Sequence, residues 1–269
     1  MRHLAALRPV GKPLKPRPLP ARSHDMEKIH IGCSGWIYKD WRGSFYPQDM
    51  PTKRWFAFYA ETFDTVEINN SFYRLPPLAI FEKWRDQAPD GFCYAIKASR
   101  YLTHNLKLKD AQDSLERILG NARHLEPRLG PILYQLPPRW KFNRDRLDQF
   151  LQLLPKDLVH VIEFRDESWQ TEEALALLDA YGVGFCTHDM PGMKVPRRAS
   201  GKAAYVRFHG GVGKYHGRYP DSLLQGWADW MIAQAATGRP VWAYFNNDYE
   251  AHAVQDALTL RSMVRQAAR

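Results

Sequence analysis

Cysteine is scarce in this chain. Its 269 residues hold three, Cys33, Cys93 and Cys186, far apart inside apolar runs and with no Cys-x-x-Cys pair. That argues against a disulfide framework and a thiolate metal centre, and the three are expected as reduced packing residues of a cytosolic protein. No apolar run approaches the ~20 residues of a membrane span, so no membrane partner is expected. No His-Glu-x-x-His or close histidine pair fixes a metal site, and no Gly-x-x-x-x-Gly-Lys-Ser/Thr loop is present. The first apolar run leads into Gly32-Cys33-Ser34-Gly35-Trp36 and an aromatic loop. A dinucleotide fold would instead want a glycine-rich turn opening a helix.

Positive charge is abundant but unevenly placed. The net charge is +9, and residues 1–25 hold six basic residues (Arg2, Arg8, Lys12, Lys15, Arg17, Arg22) against one acid, Asp25. The same stretch carries Pro9, Pro13, Pro16, Pro18 and Pro20. Such a segment is expected to be an extended, disordered tail over 1–25, with one folded domain over 26–269. Met26 stands just before the first strand, so translation starting there is an alternative. The rest of the chain is only mildly basic, which weakens a nucleic-acid reading drawn from net charge alone.

Eight short apolar runs read as β-strands: Ile29–Ser34, Thr65–Ser71, Phe92–Ala98, Pro131–Leu136, Val159–Arg165, Gly182–His188, Ala203–His209 and Pro240–Asn246. Amphipathic helical stretches lie near 52–62, 78–87, 110–124, 144–154, 171–181, 221–236 and 250–266. Strand and helix alternating in this way predict an α/β fold, a single (β/α)8 TIM-type barrel. Between strands six and seven, Met190-Pro191-Gly192-Met193-Lys194-Val195-Pro196 has two prolines and no helical period. An irregular crossover is expected there in place of a helix.

Polar side chains recur near the ends of these runs: Glu67, Asn69, Lys97, Gln135, Glu163, Arg165, Arg207, His209 and Asn246. In Val66-Glu67-Ile68-Asn69, Ile162-Glu163-Phe164-Arg165 and Val206-Arg207-Phe208-His209, apolar and polar residues alternate with the period of a strand. One face turning polar at strand after strand predicts a polar pocket at the C-terminal mouth, where barrel enzymes keep their chemistry. Glu67 and Glu163 are the candidate acid and base, since carboxylates sharing a pocket can have their pKa values pushed apart. Pairing with neighbouring cations is the alternative role. Lys97, Arg165 and Arg207 outnumber those carboxylates and favour an anionic ligand, with Asn69, Gln135, His209 and Asn246 orienting it. The aromatic loop adds Trp36 and Tyr38 to the mouth, although most of its rings suit a small core of their own.

Other segments carry weaker signals. Gly210-Gly211-Val212-Gly213-Lys214 follows the seventh strand, where barrels often bind phosphate; a lid is the plainer reading. His104, His188, Asp189, His209, Glu67, Glu163 and Asp248 are possible metal ligands, so a divalent metal is a minor expectation and no cofactor is predicted. Lys194-Val195-Pro196-Arg197-Arg198 is a basic run that could follow a nucleic-acid backbone, or simply be a solvated loop.

Several segments together resemble the YecE-like family, bacterial and archaeal barrel proteins of unknown function. They are Ile31-Gly32-Cys33-Ser34-Gly35-Trp36 with Tyr38 and Trp41, Glu67-Ile68-Asn69-Asn70-Ser71-Phe72-Tyr73, and Lys97 with Thr103-His104. Gln135-Leu136-Pro137-Pro138, Glu163-Phe164-Arg165 with Ser168-Trp169, Tyr205-Val206-Arg207-Phe208-His209-Gly210 and Tyr244-Phe245-Asn246-Asn247 with His252-Ala253 follow in order. The resemblance implies a TIM-type barrel with a shared pocket and no settled reaction. The leading expectation is an enzyme of hydrolase, lyase or isomerase type, acting by acid/base catalysis on a small anionic or sugar-like ligand. The alternatives are a nucleic-acid binder or phosphodiesterase-like barrel, and a barrel that binds without catalysis.

Overall fold

The computed structural model describes residues 28–211 and 213–267; the expected tail and the alternative start at Met26 lie outside them. The strands are β1 (Ile29–Cys33), β2 (Thr65–Ile68), β3 (Cys93–Lys97), β4 (Leu129–Gln135), β5 (His160–Glu163), β6 (Gly184–His188), β7 (Ala204–Phe208) and β8 (Val241–Phe245). All pair in parallel with their sequence neighbours, and β1 pairs with β8 from Ile29↔Val241 to Cys33↔Phe245. The barrel is closed, as the alternation of elements predicts.

Seven longer helices surround it: α1 (Trp55–Thr62), α2 (Leu78–Gln87), α3 (Gln112–Arg123), α4 (Arg144–Gln152), α5 (Glu172–Tyr181), α6 (Asp221–Ala236) and α7 (His252–Ala267). Each falls on an expected helical stretch. The first stretch opens with a 3₁₀ turn, Thr52–Arg54, before α1 begins. Among the described residues no helix joins β6 to β7, because Pro191 and Pro196 lack the N–H that a helical ladder needs.

The period-two pattern sorts side chains between two cores. Ile31, Val66, Ile96, Ile162, Phe164, Val206 and Phe208 point outward, into the layer between barrel and helices. Ala95, Leu133, Val161, Cys186, Tyr205, Trp242 and Tyr244 fill the inside. These inner residues plug the barrel, so polar side chains above them rest on an apolar floor. Trp55, Phe56 and Tyr59 pack α1 onto the barrel, all largely or fully buried. Each large apolar side chain so buried contributes about 1.5–3 kcal/mol relative to exposure.

Two local features fix the strand ends. β4 starts two residues earlier than expected, and its register against β3 shifts between Tyr94↔Leu129 and Ile96↔Ile132. Pro131 sits in that bulge, where its missing N–H disturbs no ladder. Gly32 lets β1 approach β2: a Cβ there would lie 2.3 Å from the Thr65 carbonyl oxygen. The Tyr59 hydroxyl closes the same spot, donating to Thr65 O and accepting from the Cys33 N–H, each at 2.9 Å.

Candidate active site at the barrel mouth

Above the apolar floor lies a fully buried charged layer. Glu67 on β2, Glu163 on β5 and Arg207 on β7 all point inward, and both carboxylates are inaccessible to solvent. The Arg207 guanidinium bridges them, with Nη2 at 2.8 Å from Glu67 Oε1 and Nη1 at 2.9 Å from Glu163 Oε2. Ser34 Oγ donates to Glu67 Oε1 at 2.8 Å, and the Tyr205 hydroxyl donates to Oε2 at 2.7 Å. Glu163 Oε1 receives Arg165 Nε. Burial opposes ionisation of Glu163, but Arg165 and Arg207 outweigh it and hold its pKa well below the usual carboxylate range. Burial disfavours the charge on Arg207, while Glu67 and Glu163 more than restore it.

His209 closes the layer. Its Nε2 accepts from Arg165 Nη2 at 2.9 Å, so the ring is neutral with its proton on Nδ1, which lies 3.5 Å from Asp189 Oδ1. Burial, Arg207 and Arg165 push its pKa well below the ordinary value. Asp189 is itself held by the His209 backbone N–H at 2.7 Å and by the Tyr219 hydroxyl. The Nε2 of His188 donates to the Phe164 carbonyl at 2.9 Å, so this ring too is anchored.

The rim of the mouth is half-buried and less committed. Lys97, at the end of β3, is 8% exposed; its ammonium lies 4.1 Å from the centre of the Phe72 ring and makes no hydrogen bond or ion pair among the described residues. Burial, then Arg207 and Arg165, lower its pKa to about 7 against the opposing pull of Glu163 and Glu67. Gln135 Oε1 stands 3.5 Å from both Arg165 Nη2 and Arg207 Nη1. A cleft of about 200 Å³ lies over β1 and β2, between Ser34–Tyr38 and Ile68–Asn70. Trp36 and Tyr38 form its wall, the Tyr38 hydroxyl donating to the Ser34 carbonyl at 2.5 Å. Asn69 Oδ1 is buried there without a hydrogen-bond partner among the described residues. Beyond β8, burial raises the Asp248 pKa to about 7; the Tyr38 hydroxyl opposes this rise and Asp40 adds to it.

Six of the nine expected polar residues, Glu67, Gln135, Glu163, Arg165, Arg207 and His209, thus form one connected network. Lys97 is coupled to it through charge alone. Asn69 and Asn246 stand on the rim, and their side chains bond to none of the others. Ser34, Tyr205, Asp189 and Tyr219 complete the network and Phe72 supports Lys97; of these the sequence singles out Asp189 alone, and as a possible metal ligand instead of a brace for His209. Tyr205 had a signal in sequence, lying two residues before Arg207 on the same strand face. Asp189 and Tyr219 sit in irregular segments with no period to place them.

Several segments do other work. The aromatic loop packs as its own core, with Tyr46 stacked on Trp55 at 4.6 Å and Trp41 fully buried. In the glycine loop, the N–H groups of Gly210, Gly211, Tyr215 and His216 bond within the stretch from His209 to Tyr219 and are not free to face an anion. Of the basic run, Arg197 lies over Trp227 at 3.9 Å and Arg198 pairs with Glu172 and Asp179. Among the described residues no three His, Cys, Asp or Glu side chains are arranged to hold a metal ion, and no helix is long and apolar enough to cross a membrane.

A closed parallel barrel with charged side chains gathered at its C-terminal end defines a TIM-barrel protein with a polar mouth. The chain belongs to the DUF72 family of proteins of unknown function, whose family model matches residues 30–269. It is 26% identical to YunF of Bacillus subtilis over 253 residues, covering 82% of this chain and 89% of that protein. YecE of Escherichia coli is 31% identical over 108 residues, 40% of each chain. A DUF72 family protein of Thermotoga maritima superimposes with a TM-score of 0.79 at 26% identity, covering 88% of this chain and 99% of the other. The YecE-like resemblance read from the motifs is borne out.

Proposed function

We propose that the barrel mouth is the active site of an enzyme that binds a small anionic or sugar-like ligand and acts on it by acid/base chemistry. The observation that carries this reading is the placement of the cations at the mouth. Arg207 is spent between two carboxylates, while Arg165, shared between Glu163 and His209, is 10% exposed, and Lys97 pairs with no carboxylate among the described residues. A partly exposed guanidinium in a partly dry pocket favours an anionic group, which Arg165 and Gln135 are placed to receive.

Glu67 and Glu163, the expected acid and base, serve in this reading mainly to hold the two arginines. Proton transfer falls to groups that titrate near neutrality, Lys97 at the third strand and Asp248 beyond the eighth. Asn69 and Tyr38 line the cleft between them, where a sugar-sized ligand would have both hydrogen-bonding and apolar contact. A nucleic-acid ligand gains less support, since Arg197 and Arg198 are already engaged within the protein.

The test is a ligand panel read by thermal shift and calorimetry. Phosphate, sugar phosphates and hydroxy acids should raise the melting temperature, neutral sugars should do so far less, and Arg165→Ala should remove the difference. Arg165 is the better probe than Arg207, because its side chain is 10% exposed and that of Arg207 only 1%. An equal response to neutral and anionic compounds would overturn the reading.

A further inference from the structure

We propose that Lys97 is a carbonyl-trapping lysine, whose unpaired amine on the Phe72 face forms an imine with an aldehyde or ketone that carries an anionic group. The proposal rests on the reading of the mouth as an anion site and adds a substrate class to it.

Three observations lead there. First, Lys97 feels both buried carboxylates through charge but pairs with neither: Glu67 is filled by Ser34, Tyr205 and Arg207, and Glu163 by Arg165 and Arg207. A lysine kept only for its charge would be expected to take one of those partners. Second, its backbone is fixed. The Lys97 carbonyl accepts from Ser71 Oγ at 2.7 Å, and the neighbouring pair Ile68↔Ile96 locks β3 against β2. The nitrogen is therefore presented from a rigid strand end at the mouth. Third, burial at the strand end and the nearby Arg207 and Arg165 favour the neutral amine, and they outweigh Glu163, Glu67 and the Phe72 face at 4.1 Å, which favour the ammonium. Desolvation and a cationic neighbour are what turn a lysine into a nucleophile near neutral pH.

The chemistry balances with no oxidant or reductant. The Lys97 nitrogen attacks the carbonyl carbon, and the carbonyl electron pair moves to oxygen, which takes one of the two amine protons. The resulting carbinolamine expels that oxygen as water, carrying the second amine proton, while the nitrogen lone pair forms the C=N bond. One water leaves for each imine formed. Arg165 and Gln135 would hold the anionic group of the same molecule. His104 borders the site, its ring 5.2 Å from that of Phe72. Its Nδ1 bonds to Thr103 Oγ1, which itself donates to the Ser99 carbonyl, so Nε2 remains unprotonated and able to accept a proton.

The experiment uses the full chain at pH 7, incubated separately with glyoxylate and with acetaldehyde, reduced with borohydride and mapped by peptide mass. Glyoxylate should leave a carboxymethyl group on Lys97 at least about tenfold faster than on exposed lysines, which are almost wholly protonated at that pH. Acetaldehyde should label Lys97 less, and Lys97→Met should lose the labelled peptide. Equal labelling by both aldehydes would keep the trapping lysine and overturn the anion preference. Labelling of Lys97 no faster than that of exposed lysines would overturn the proposal, whereas an Arg165-dependent thermal shift with phosphate would still support the anion site.

Discussion

The Lys97 ammonium rests on the face of Phe72 at 4.1 Å, while the two buried carboxylates, Glu67 and Glu163, are turned to arginines. A cation–π contact of this kind contributes about 0.5–2 kcal/mol, less than a buried ammonium loses in hydration. The position is therefore costly when charged, and the cost can be read as a function of pH.

Replacing Lys97 by Met should stabilise the protein at low pH. The folded lysine releases its proton near pH 7, the unfolded one near its ordinary 10.5. Between those values the unfolded chain binds more protons, so wild-type stability rises with pH across that window. Lys97→Met should gain about 1–3 kcal/mol at pH 6, and the gain should fade toward pH 10. Urea unfolding at the two pH values measures it; a gain independent of pH would contradict the assignment.

Asp248 acts in the adjoining window with the opposite slope. Its carboxyl stays protonated in the fold up to about pH 7, against 3.8 when unfolded. Here the folded chain binds more protons, and stability falls as pH rises from about 4 to 7. Asp248→Asn should change little at pH 4 and stabilise at pH 8. With Lys97, these two groups alone place a shallow stability minimum near neutrality, which melting curves from pH 4 to 10 would trace.

Glu163→Gln should destabilise the fold by about 3–5 kcal/mol, because it leaves buried Arg165 and Arg207 short of a counter-charge. Chemical denaturation checks the figure. A loss below about 1 kcal/mol would show that the carboxylate is dispensable to the network, as an exposed pair would be.

Gly32→Ala tests the closeness of β1 to β2. The added methyl would meet the Thr65 carbonyl oxygen at 2.3 Å and the Tyr59 hydroxyl at 2.9 Å. Since a strand backbone in a closed barrel has little room to give, the cost should be about 1–3 kcal/mol or more. Pairing with Tyr59→Phe, which removes a hydroxyl from the same spot, should give a non-additive cycle.

Most of the fold could be read from the chain. Alternation in Ile162-Glu163-Phe164-Arg165 fixes which side chains face inward, and Pro191 and Pro196 exclude a helix between β6 and β7. Strand ends are less legible: β2 stops at Ile68, and the helical turn Asn70–Tyr73 begins inside the run Thr65–Ser71 that reads as strand. The site was legible in residue type but not in pairing. Arg207 meets Glu67 and Glu163 from 140 and 44 positions away, distances at which only barrel closure decides contact. That Glu163, rather than Lys97, would be neutralised depends on side-chain reach across the barrel, which no local pattern encodes. Asp189 and Tyr219 come from stretches without periodicity, so their clamp on His209 left no trace in sequence.

The seam between β1 and β8 has a consequence for how the protein is made. The first described strand gains its second neighbour only when the last has emerged from the ribosome, so ring closure is an event of the whole chain. Until then both β1 and the growing end of the sheet present unpaired edges that can recruit other chains. Removing the segment from Val241 onward should therefore yield an open, aggregation-prone sheet and not a smaller stable barrel.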